Sequence, residues 1–129
     1  MSVEVKSTGT LIDEYITAGF KVEVKPTPEN IKRMQVLSGA IFNRIGYGYE
    51  IQNLVEQLRI VLRECWNAQE IVMEGKNLVD APYVSDTVWM RIAKAGITAQ
   101  KTNAERNALI RKIDELLGEK DTTALEKTY

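Results

Sequence analysis

The sequence contains no histidine and a single cysteine, Cys65. The first absence removes the commonest general base and the commonest metal ligand. The second excludes an intrachain disulfide and any cysteine-rich zinc site. No apolar run approaches the roughly 18 residues that mark a membrane-spanning helix. The opening MSVEVKSTG lacks the basic-then-apolar layout of a secretion signal. A cytoplasmic protein with no cofactor and no membrane partner is the expectation. Charge of either sign is not in excess: 17 basic residues stand against 18 acidic ones, net −1, so the whole chain has no global attraction to nucleic acid or acidic lipid. What is present is ordinary for a globular fold. With 129 residues, 44% of them apolar, the chain is long enough to bury a core as one domain, 1–129.

The apolar periodicity is helical throughout. Residues 1–7 alternate around Val3 and Val5 and read as a short extended arm. Thr8 or Thr10 can cap a first helix running to Val24, with Asp13 and Glu14 in its first turns. Leu11, Tyr15, Ala18 and Val22 form its stripe, and Gly19 suggests a close helix–helix approach. Thr27 with Pro28 and Glu29 starts a second helix carrying Ile31, Met34, Leu37, Ile41 and Ile45. It stops at the Gly46-to-Gly48 turn. A third runs from Tyr49 to Glu74 with Ile51, Leu54, Leu58, Val61, Leu62, Cys65, Val72 and Met73 on one face. A loop from Gly75 to Pro82 follows.

The longest helical pattern is Val84–Gly118, capped by Ser85 and closed by Gly118. Its stripe of Val88, Ile92, Ala95, Ala99, Ile110, Ile113 and Leu117 contains Asn103 and Arg106. A buried Arg must find a partner, because an unpaired buried charge is costly. The tail, 119–129, is polar. The expected fold is all-α: a four-helix antiparallel bundle with a short extended N-terminal arm. Helices two and three are expected to form a hairpin, with helices one and four as long-range partners.

The two ends of the chain carry a resemblance. Ser7-Thr8-Gly9-Thr10-Leu11-Ile12-Asp13, then Thr17, then Lys21-Val22-Glu23, resembles the S-P-G-E-L-I-D-K-L opening and following I-K-x-E segment of a family of small uncharacterised bacterial helical proteins. Asn103, Arg106, Leu109, Ile113, Leu116, Leu117 and Gly118 are similar to that family's closing N-x-x-R-x-x-L-x-x-x-I-x-x-L-L-G pattern. Pro28 to Ile31 and Trp66 to Glu70 are similar in placement. Thr8 and Thr10 depart from the family's Pro and Glu, and Tyr15 and Gly19 replace aliphatic residues. The resemblance implies a helical fold and a domain of unknown function, with no activity to carry over. Similar short proteins are phage-encoded, which keeps a virion-associated or phage-accessory role open.

Three kinds of chemistry are compatible with these residue types. Asp13, Thr17, Lys21, Asn103 and Arg106 can gather between the first and last helices. One reading has Lys21, Asn103 and Arg106 binding a small anion or nucleotide, and the other has the set fixing helix register. Metal-assisted hydrolysis would need clustered carboxylates, but Glu56, Glu64, Glu70 and Glu74 never form E-x-x-E and fit a solvated face. From Val88 to Lys112, Arg91, Lys94, Lys101, Arg106, Arg111 and Lys112 stand against Glu105 alone, a nucleic-acid groove without any accompanying motif. Cys65 falls on the apolar stripe with no histidine to activate it, so it is read as inert. Tyr47 and Tyr49 are expected to pack across the turn, and Trp66 and Trp89 to anchor the core or an interface. No catalytic and no metal residue is assigned. The leading expectation is a non-enzymatic helical interaction or structural module, a homo-oligomer or a binder of another protein.

Overall fold

A computed structural model describes residues 6–44 and 49–119. It contains four α-helices: α1 (Thr8–Val24), α2 (Pro28–Phe42), α3 (Tyr49–Leu78) and α4 (Asp86–Leu116). Among the described residues there is no strand, and no helix is long and apolar enough to cross a membrane. The extended arm, apart from Lys6 and Ser7, and nearly all of the polar tail lie outside the described residues. So do Ile45 and the Gly46-to-Gly48 turn.

Local chemistry sets most helix ends. Ser7, rather than Thr8 or Thr10, caps α1, its hydroxyl accepting from the Thr10 N–H. The Thr27 hydroxyl accepts from the Asn30 N–H at 3.2 Å, with Pro28 at the first helical position. Ser85 does the same for Val88. At the far end of α4, Gly118 takes φ +70, a left-handed conformation that glycine adopts without cost. The Gly118 N–H donates to the Glu115 carbonyl and the Glu119 N–H to the Asp114 carbonyl, the paired bonds of a Schellman stop.

Two further expectations about helix ends are corrected. The stretch from Gly75 to Leu78 is helix, not loop, so α3 is 30 residues long. Gly75 stays helical because it sits against α4: a Cβ there would lie 2.8 Å from Ile92. No acidic residue of α1 lies in its own first turn. That role passes to α4, as described below.

The pairing of helices also differs from expectation. The principal contacts join α3 to α4 and α1 to α2, and α1 also rests on both α3 and α4. No α2–α3 hairpin forms among the described residues. The core joins Leu11, Ile12 and Ile16 of α1 to Leu37 and Ile41 of α2, Leu58 and Leu62 of α3, and Ile110 and Ile113 of α4. Gly19 is not a close approach, since its nearest neighbour would be the flexible end of Met34 at an ordinary 3.5 Å. Met73, expected in the core stripe, is exposed.

Length governs the shape. α1 and α2 have 17 and 15 residues, while α3 and α4 have 30 and 31. The α3/α4 hairpin therefore outruns the two shorter helices. Its far half holds a second small core of Ala68, Ala95 and Ala99, with Ile71 and Val72 against it. Gly96 lies in this half, and a Cβ there would meet nothing within 4 Å. Gly96→Ala is expected to stabilise the protein by about 1 kcal/mol through helix propensity. A thermal melt checks this, with a rise of about 3–5 °C expected for a chain of this size.

Candidate functional site

The candidate cluster lies where α1 crosses α4. Asp13 is 3% exposed. Its two oxygens accept from Nε and Nη2 of Arg106, both at 2.6 Å, in a bidentate fork. Burial works against the Arg106 charge, but the hydrogen bond and charge of Asp13 outweigh it and hold the guanidinium above its ordinary value. Opposite charge has offset desolvation, as a buried ion pair requires.

None of the other three residues of the expected cluster is hydrogen-bonded to the carboxylate or guanidinium of this pair among the described residues. Thr17 donates its hydroxyl back to the Asp13 carbonyl, within its own helix. Lys21 is exposed near the end of α1. Asn103, expected on the buried stripe, is exposed, and the buried amide of this region is Asn107. The reason is the path of α1. Its N-terminal half lies on α4, through Gly9 beside Ile110 and Asp13 beside Arg106. Its C-terminal part packs on α3 instead. There Phe20 meets Trp66 edge to face at 5.8 Å, and Glu23 pairs with Arg63 at 2.9 Å. The Arg63 guanidinium also lies 3.8 Å over the Phe20 ring.

A second polar junction was not legible as a cluster. The first four N–H groups of a helix have no partner within it. In α1 the Thr8, Gly9 and Thr10 N–H groups are each satisfied by a side chain. Thr8 donates to Glu119 at 3.2 Å and Gly9 to Asp114 at 2.8 Å. Thr10 donates to the Ser7 hydroxyl, and the regular helical bonds begin with Leu11 donating to the Ser7 carbonyl. Two carboxylates from the end of α4 thus meet the positive end of the α1 dipole. The Schellman stop at Gly118 is what turns Glu119 back toward α1. Nearby, Glu14 accepts from Lys6 at 2.6 Å and lies 3.6 Å from Arg33, and Arg44 donates to the Lys6 carbonyl.

The remaining candidates take structural places. Cys65 is buried. Trp66 donates its indole N–H to Glu70, and Glu74 accepts from Arg91 at 2.8 Å, so neither carboxylate of that pair points at a common centre. Trp89 is exposed on α4, outside the core. Among the described residues, no three His, Cys, Asp or Glu side chains come together as a metal ion would need. Comparison with known proteins returns no matching family model, no matching curated protein and no matching solved structure. The fold itself defines the class, an all-α helical bundle in which two long helices project beyond two short ones.

Proposed function

We propose that this protein is a non-enzymatic helical interaction module that self-associates. The observation that carries this reading is the projecting α3/α4 hairpin. Beyond the reach of α1 and α2, two helices share a core built mainly of alanine. Such a pair buries little apolar area for its length. The same hairpin exposes large apolar side chains: Ile60 at 54%, Met90 at 59% and Ile97 at 69%. Single exposed apolar residues need no explanation, but Met90 and Ile97, seven residues apart on one face of the projecting part of α4, support an interaction surface there. The Asp13–Arg106 fork serves the fold in this reading, because both acceptor oxygens and two of the guanidinium donors are already committed to each other.

Light scattering on purified protein tests the proposal. A mass above one protomer is expected, shifting to a single protomer in Ile97→Glu without loss of helical circular dichroism. A single-protomer mass for the parent chain across a dilution series would exclude self-association.

A further inference from the structure

Resting on that reading, the geometry points to the partner and to the way it is held: a second copy of the chain, packed so that α3 of each copy lies along α4 of the other. On α4, Met90, Lys94, Ile97, Lys101 and Ala104 follow a four-three-four-three spacing, which puts them on one stripe. On α3, Ile60, Glu64, Asn67, Ile71, Glu74 and Leu78 follow the same spacing. Each stripe is turned away from α1, the one on α3 beside α4 and the one on α4 toward the outer edge of the hairpin, about 140° around from Ile92, which meets α3. On α3 it lies about 120° around the helix from Trp66, which faces α1, and on α4 Ile97 lies about 140° around from Ile110.

The two stripes differ in charge. The one on α3 is apolar and acidic, and the one on α4 is apolar and basic. Within the chain, Glu64 and Lys94 have no ion-pair partner among the described residues. Lys101 has only a 3.9 Å contact with Glu105, one turn away on its own helix. The Glu74–Arg91 pair and the Gly75–Ile92 contact set the register of the hairpin. They place Glu74 level with the turn that holds Lys94, and Glu64 level with the turn that holds Lys101. The two acids are about 15 Å apart along α3 and the two lysines about 10 Å apart along α4. A two-fold axis that lays α3 on the partner's α4 makes this acid-to-base match twice, as an isologous interface must.

Size and shape also fit. A hairpin of 30-residue helices is about 45 Å long. With axes 8–10 Å apart it is about 20 Å wide, so one face offers about 900 Å². A standard specific interface buries about 800 Å² per partner. Two adjoining grooves of about 500 and 350 Å³ open between α3 and α4, lined by Leu54 and Leu116 in one and Ile60, Val61 and Leu109 in the other. The side-chain ridge of a partner helix fills such grooves.

Charge exchange tests the arrangement. Lys94→Glu with Lys101→Glu makes both contacts acid against acid. Glu64→Lys with Glu74→Lys makes both base against base. Each variant alone is expected to dissociate at least about tenfold more readily than the parent, read by analytical ultracentrifugation. Mixing the two variants is expected to restore a heterodimer of near-parental affinity. Glu64→Lys alone, which disturbs no ion pair within the chain, repeats the test if the double variant loses helicity. A parent dimer that both helical variants leave intact, or variants that weaken it but do not rescue each other, would overturn this arrangement while leaving self-association standing. A monomeric parent chain would overturn both.

Discussion

Arg106→Met is expected to lower the unfolding free energy by roughly 3–5 kcal/mol. The loss arises from what is left behind. Asp13 has its two oxygens on one guanidinium, and it is buried on every other side. Without Arg106 the carboxylate must stay charged in the core, take up a proton, or pull α1 away from α4. The Arg106 side chain is 28% exposed, so some water reaches the pair, and the lower end of that range is expected. Calorimetry reads this as a fall in melting temperature of about 10–15 °C. Asp13→Leu combined with Arg106→Met should recover most of the loss, because removing both charges leaves nothing buried and unpaired. If Arg106→Met instead melts no lower than the parent, the fork does not hold the helices together. Binding of a small anion by Arg106 would then be the reading to pursue.

Gly9→Ala is expected to cost about 3 kcal/mol, in a position where alanine would ordinarily favour the helix. A Cβ on residue 9 would lie 2.6 Å from the Ile110 carbonyl oxygen and 2.6 Å from Asp114 Oδ1. The first of these is helical backbone of α4 and cannot rotate aside. The helices must separate, and the 2.8 Å bond from the Gly9 N–H to Asp114 lengthens with them. Thermal denaturation checks the size of the effect, and Gly96→Ala serves as its control. The same substitution in the same fold should raise the melting temperature at Gly96 and lower it by about 10 °C at Gly9. Equal responses at the two positions would show that the α1–α4 approach is not tight.

Helix existence and most helix ends were legible because their causes are local. A Ser or Thr three residues ahead of an N–H, a proline at the first helical position and a glycine at the stop all act within one turn. Thr27, Ser85 and Gly118 each work that way, whereas the cap of α1 is Ser7 and not the expected Thr8 or Thr10. The end of α3 was missed for the opposite reason. Gly75 has the sequence signature of a helix stop, yet its lack of a side chain serves contact with Ile92 across the hairpin.

The candidate site divides in the same way. Asp13 and Arg106 could be matched because a buried arginine requires an acid and few acids lie on apolar faces. Lys21 and Asn103 could not be placed, because their surroundings depend on where α1 leaves α4 for α3. That crossing is a property of two helix surfaces fitting together and has no local signal. Asp114 and Glu119 carry no local signal, since their partners are backbone N–H groups about a hundred residues earlier in the chain.

The sequence by itself determined the class of fold, four helices and where most of them begin, through periodicity and capping that reach no further than a turn or two. Only the tertiary structure decided which helices pair. A stripe of apolar residues says that a helix buries a face, but any other stripe can cover it. Here the two longest helices cover each other and the shorter pair spans only part of their length. That mismatch, invisible in any one helix, leaves the α3/α4 hairpin with a charged and apolar face of its own.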